Sequence, residues 1–370
     1  MSCCKSLRVI FGLLLVLSFR PALSEDLSSA KIKVGVATIL SGDLALLGQN
    51  LVNTIETYKA KHLRHPVEFY FQDAKKGSAD GLKAYQYLIN VEKVDLLIGG
   101  TTSNGTIAAS SIINQSKTVL ITPLTGGSNI DQAGPYVFRI GNSDVLNGQQ
   151  QAEYFIKHGL KRVALVTEET EYTNDIATHF RKKFEELGGE LVYDETFLPD
   201  NNDFRTQIVT LLAKKPQALF MSTQTGLAFG IFIKQLNELK KNLAIEIHTN
   251  FLAASNPDAR KVAGASIYGV HFMAPAYNRS ANSPYQKFLA EYLAVAKTEP
   301  AIPFHTAGTV DALNMLQDYL DTIKGQPFQR EGFQQYLLSQ IKNYQGLMGT
   351  YSFDAEGNAD LGFEEALIQP

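Results

Sequence analysis

Short apolar runs recur along the chain and alternate with longer stretches of helical periodicity. The first set, at residues 32–38, 67–72, 94–99 and 118–122, is separated by amphipathic stretches at 47–61, 80–92 and 104–115. The cycle resumes at residues 162–167, 191–196, 217–222 and 244–248, with helical stretches at 173–187, 204–213 and 227–240 between them. Continuous apolar strands alternating with helices predict a parallel sheet covered on both faces. Two cycles predict two such lobes. A polar, Gly/Asn-rich break around residues 141–144 divides them, and a second break spans residues 268–284. Three further helical stretches follow, near residues 284–297, 307–323 and 330–342. The end reads as a strand, an Asp-Ala-Glu-Gly-Asn turn and a closing strand. Helices that follow both cycles imply a discontinuous architecture, in which the chain crosses between lobes more than once. In open parallel sheets, ligands sit beyond the carboxyl ends of the strands. Two facing lobes then share one cleft.

The first residues stand apart from this pattern. Lys5 and Arg8 precede an apolar run, Val9 to Leu17, and the small-residue segment Ala22-Leu23-Ser24 follows. That order is a secretory signal peptide over residues 1–24, whose run is too short to span a bilayer. Both cysteines, Cys3 and Cys4, lie inside it. The mature chain is therefore expected to lack disulfides, thiolate chemistry and a lipid-anchored cysteine, and the simplest address is the bacterial periplasm. No later segment has the roughly 18–20 apolar residues of a membrane helix.

The length, 370 residues, suits about two domains. A formal net charge of −3 gives no ground for a nucleic-acid surface. The seven histidines are scattered, with only His62 and His65 close together. No nucleotide loop, nucleophile elbow or zinc-protease motif occurs, and no cofactor is implied. The Glu168-Glu169 pair reads as a solvated loop rather than a catalytic dyad. One stretch carries an open question. In "LLIGGTTSNGTIAASSI", residues 96–112, Thr101, Thr102, Ser103 and Asn104 end a buried strand where a helix begins. They can serve as helix caps alone, or as caps that also hold a ligand.

The order of motifs resembles one family. "IKVGVATILSGDLALLGQN", "FQDAKKGSADGLKAYQYLI", "LLIGGTTSNGTIAASSI", "VLITPLTGGSNI", "YVFRIGNSD", "VALVTEETEYTND" and "GTYSFDAEGNADLG" are similar to type I periplasmic solute-binding proteins. The nearest branch is the leucine/isoleucine/valine-binding group of ABC-transporter receptors. The resemblance implies two doubly wound α/β lobes joined by three crossovers, near residues 142–145, 271–275 and 348–351. Lobe one would comprise residues 25–143 and 274–349, and lobe two residues 144–273 and 350–370. The role implied is capture of a small polar molecule, amino-acid-like or a carboxylate or amide, for delivery to an ABC permease. A sensory receptor handing its closed state to a signalling partner is the alternative. An enzyme is not expected.

The resemblance also implies where the ligand sits. Thr102 and Ser103 match the hydroxyl residues that bind an amino-acid carboxylate, and Leu124 and Thr125 match a loop of donors beside them. Tyr172 matches a ligand-facing tyrosine of lobe two. Thr225 replaces a commonly bulky aromatic. Asn250 stands near the position where amino-acid binders carry an acid for the ammonium. With no carboxylate in "IHTNFLA", the expected ligand has one acidic end and no ammonium at the other.

Export makes a checkable expectation. The mature protein should begin near Glu25, and mass spectrometry of the exported form should find that terminus. An intact Met1 on membrane-bound protein would overturn it.

Overall fold

The computed structural model describes Met1 and residues 31–370, apart from 43, 101 and 240–243. The expected signal peptide lies outside the described residues. Among the described residues, no helix is long and apolar enough to cross a membrane.

Lobe one opens with β1 (Ile32–Thr38), α1 (Ala45–Lys61), β2 (Val67–Asp73) and α2 (Ser78–Asn90). It continues through β3 (Leu96–Ile98), α3 (Ser103–Gln115), β4 (Leu120–Thr122) and β5 (Val137–Gly141). Lobe two contains α4 (Asp144–Lys157), β6 (Arg162–Glu168), α5 (Glu171–Glu186), β7 (Glu190–Phe197), α6 (Arg205–Ala213) and β8 (Ala218–Ser222). Then come α7 (Gly226–Leu239), β9 (Glu246–Asn250), α8 (Phe251–Ser255), α9 (Pro257–Ala263) and β10 (His271–Pro275). The chain returns to lobe one for α10 (Pro284–Ala296), α11 (Pro303–Ile323) and α12 (Arg330–Gln340). A small hairpin, β11 (Tyr344–Gln345) with β12 (Thr350–Tyr351), precedes β13 (Asn358–Asp360) and β14 (Phe363–Leu367).

The two sheets repeat one plan. The first runs β13-β5-β4-β3-β1-β2 and the second β14-β10-β9-β8-β6-β7. Pairing is parallel throughout, except that β14 runs antiparallel to β10. Central strands such as β3, β4 and β8 are buried along their whole length. That is why they read as unbroken apolar runs rather than alternating ones. The helix starts are equally legible. Thr102 caps α3 by accepting from the Gly105 N–H, and Thr170 and Thr173 form a reciprocal capping box on α5. Ser283 caps α10 ahead of Pro284.

One boundary differs from expectation. The third crossover, expected near residues 348–351, falls between Asp360 and Phe363. Met348, Tyr351 and Phe353 are buried in the lobe-one core, and β13 pairs with β5 through Asn358–Arg139, Ala359–Ile140 and Asp360–Gly141. The reason is a buried cation. Arg139 is almost fully enclosed, and its guanidinium pairs with Asp131 at 2.8 Å and Asp360 at 3.4 Å. An unpaired buried charge is costly, so Asp360 and the strand that carries it stay with lobe one.

Within lobe two, α4 packs closely on α5. A Cβ on Gly148 would come within 2.4 Å of the Ile176 carbonyl oxygen and 2.7 Å of the Phe180 nitrogen. Gly148→Ala must push the two helices apart. It is expected to cost about 1–3 kcal/mol, read as a lower midpoint in urea unfolding at unchanged slope. A neutral effect would mean that the helix pair is looser than described.

Candidate functional site

Strand ends from both lobes enclose a cavity of about 620 Å³. Lobe one brings Thr102, Ser103, Leu124 and Thr125 to its wall, and lobe two brings Tyr172 and Thr225. Asn250 is not among the lining residues. It is fully buried, and its amide donates to the Ser222 hydroxyl and the Thr223 carbonyl inside lobe two. The strand it ends delivers the next residue, Phe251, to the cavity instead.

The hydroxyls are partly committed to the fold. Thr102 Oγ1 accepts from Gly105 and donates to the Lys76 carbonyl at 3.3 Å. Ser103 Oγ accepts from the Gly127 N–H at 3.0 Å, which leaves its own proton to donate. The N–H groups of Leu124 and Thr125 lie 3.3 Å from Thr122 Oγ1, long contacts that a better acceptor could replace. Thr225 turns its hydroxyl and its N–H onto Glu168 rather than into the cavity.

Glu168 and its neighbours correct two expectations. Glu168 ends β6 fully buried, not on a solvated loop, and accepts from the Thr223 hydroxyl at 2.6 Å and the Gln224 and Thr225 N–H groups at 2.8 Å each. It organises the 223–225 loop. The expected absence of a cleft acid also fails. Asp144, Glu168, Glu169, Glu171, Asp175 and Asp258 all line the cavity, whereas Lys76 is the only lysine or arginine among the described lining residues.

Asp144 is placed at the first crossover, where Ser143 caps α4. Its carboxylate presses against lobe one, so that a Cβ on Gly126 would come within 2.7 Å of Oδ1. Burial, then the Asp175 carboxylate, push its carboxyl well above the usual range against the pull of Arg139, and Glu171 adds to the rise. Tyr172 has a buried hydroxyl with no hydrogen-bond partner, and burial together with Asp144 raises its pKa. Asn142 Oδ1 and His305 Nδ1 are likewise buried and unpaired at the cavity wall. Burial lowers His305 to about 3, so the ring is neutral. Buried polar atoms are nearly always paired in native proteins. Three of the unpaired atoms, on Asn142, Tyr172 and His305, belong to residues that line this one cavity.

The rest of the wall is apolar. Phe251 meets Phe304 edge-on at 5.1 Å and Tyr172 at 6.3 Å, an aromatic contact that spans both lobes. Leu47 and Leu252 extend it. Beside the cavity, Ser128 of lobe one donates to Asp175 of lobe two from its N–H at 2.7 Å and its hydroxyl at 2.8 Å. Asn129 donates to Glu171 at 3.2 Å. The lobes are clasped on this side.

Sequence reasoning missed Asp144, Glu168, Asp175 and Phe251. The signal for Asp144 was present in "IGNSD", an N-cap Ser followed by Asp at the break between cycles. The others required knowing which strand ends meet.

Comparison with known proteins accords with this arrangement. A family model described as "Periplasmic binding protein" matches residues 31–361. The chain belongs to the periplasmic binding protein family. A curated relative, "Leu/Ile/Val-binding protein homolog 6" of Brucella abortus (strain 2308), is 24% identical over 301 residues, 80% of this chain and 77% of the relative. Among solved structures, the leucine binding protein LivK of Thermotoga maritima MSB8 matches with a TM-score of 0.77 at 24% identity, covering 92% of this chain and 99% of that one. An R. palustris solute-binding protein in complex with benzoate gives a TM-score of 0.78 at 22% identity, covering 92% and 93%. LivJ of Streptococcus pneumoniae in complex with isoleucine gives 0.76 at 21% identity, covering 92% and 100%. At such identities the structures establish the shared two-lobed fold.

A carboxyl raised on folding binds more protons folded than unfolded between its two pKa values. Its contribution to stability is therefore lost as pH rises through that interval. Asp144→Asn is expected to raise the melting temperature of the ligand-free protein at pH 8 by on the order of 2–4 °C and to leave it nearly unchanged at pH 3. Equal shifts at both values would mean that Asp144 is not held protonated.

Proposed function

We propose that the chain is an exported receptor that captures a small amino-acid-like molecule between its lobes and presents it to an ABC importer from the periplasm. The observation that carries this reading is the cavity between the lobes, with hydroxyl and N–H donors on lobe one and the buried Asp144 carboxyl and the unpaired Tyr172 hydroxyl on the lobe-two side. A carboxylate fits the Ser103 and 124–125 side, where α3 contributes its positive end. A cation or strong hydrogen donor fits Asp144, whose proton a bound ammonium displaces. The aromatic and leucine wall suits an apolar body between the two ends. Capture rather than turnover is the reading for this family.

Isoleucine and benzoate, bound by two of the relatives named above, share a carboxylate and an apolar body; only isoleucine adds an ammonium. Calorimetry with a matched set therefore discriminates: a branched α-amino acid, its deaminated acid and its amide. The amino acid should bind at least tenfold more tightly than the deaminated acid. The opposite order would assign the cleft to aromatic or aliphatic acids and remove the role given to Asp144. A charge-assisted hydrogen bond contributes about 1.5–3 kcal/mol, so Ser103→Ala should weaken the best ligand by roughly 10- to 150-fold. An unchanged affinity would leave Ser103 with its contact to Gly127 alone.

A further inference from the structure

Lobe two holds a second cluster, distinct from the cleft. Glu246 and His248 lie two apart on β9 and so share one face of the sheet. The parallel register sets His271 of β10 directly beside His248. The two imidazoles stack 4.7 Å apart at 17°, and one donor atom from each of Glu246, His248 and His271 lies within 4.8 Å of the others. None of the three lines the ligand cavity. Glu246 and His271 begin their strands and His248 sits mid-strand, whereas the carboxyl end of β9 leads to Phe251 at the cavity. Sequence spacing had left the histidines scattered; only strand register brings these two together.

We propose that Glu246, His248 and His271 form a binding site for a zinc-type divalent cation. Two imidazoles and a carboxylate are the donor set of three-ligand zinc sites, with a further position open to water. Glu365 Oε1, 3.1 Å from His271 Nδ1, adds a second carboxylate at the edge. His248 is buried. Its Nδ1 lies 2.8 Å from the Gln151 amide, while the Oε1 of that amide is buried without a partner. The two ends of an amide are interchangeable in shape. Rotated, Gln151 accepts from Nδ1–H and leaves the Nε2 lone pair facing Glu246, the outer support that metal-bound histidines use. His248 Nε2 and Glu246 Oε1 are now 2.8 Å apart, a hydrogen bond. Ligands on a tetrahedral zinc ion stand roughly 3.4 Å apart and imidazole lone pairs lie in the ring plane, so rotamer changes of the partly exposed Glu246 and His271, the latter swinging out of its stack on His248, admit the ion. His271 and Glu246 are partly exposed, which gives the ion an entry path.

The test needs no cleft ligand and so stands apart from the transport reading. Chelator-treated protein is titrated with zinc chloride by calorimetry, and its melting is followed with and without the ion. One saturable zinc per chain is expected, with a raised melting temperature. Glu246→Gln and His271→Ala should each weaken binding at least about tenfold, whereas a His62→Ala/His65→Ala control on the surface should not. If His271→Ala lowers stability by itself, His271→Gln of similar size replaces it. Absence of saturable zinc binding overturns the proposal, and so does binding that both cluster variants retain.

Discussion

The direction of the strands constrains everything else in this molecule. Six strands run parallel in the first sheet and five in the second, so the loops after their carboxyl ends gather at one end of each lobe. Helix starts gather there too, with unpaired N–H groups and positive dipole ends. A parallel sheet thus concentrates donors where it must also leave a crevice. The buried Arg139 is the counterpart on the lobe-one side. Its pairs with Asp131 and Asp360 tie the 127–132 loop and β13 to β5, so the wall that carries Gly126 and Gly127 is held from behind.

Against that donor-rich wall the cleft sets groups that the fold leaves unsatisfied. Asp144 is buried among other carboxylates, and the Tyr172 hydroxyl is sealed from water without a partner. Each destabilises the ligand-free protein, because a buried polar group keeps its desolvation cost until something bonds it. Stability withheld in this way is available as binding energy. A ligand that bonds these groups would relieve that cost, and one lacking the complementary group would leave it in place.

How much of this could be read from the sequence follows from the physics of each feature. The alternation of buried strands and amphipathic helices is local, and β1 to β4 and β6 to β9 appear where their apolar runs stand. Caps such as Thr102 and Thr170 are local as well. The third crossover was misjudged because the pairing that decides it, Asp360 with Arg139, spans more than 200 residues of chain. Glu168 was misread for a related reason. Next to Glu169 it resembles solvated surface, yet three residues some 55 positions later, Thr223 to Thr225, close over it. Asn250 was misplaced by a single residue. A strand end points alternate side chains to opposite faces, so one step exchanges a cavity wall for a core position.

The Ser128–Asp175 clasp adds a kinetic dimension. It joins the lobes through protein groups alone, beside the cavity rather than across the ligand. Separating the lobes on this side breaks those two bonds, whatever molecule lies in the cleft. Part of the barrier to opening therefore belongs to the protein and lengthens the residence of every ligand by the same factor. A receptor built in this way can hold a weak ligand long enough to hand it on.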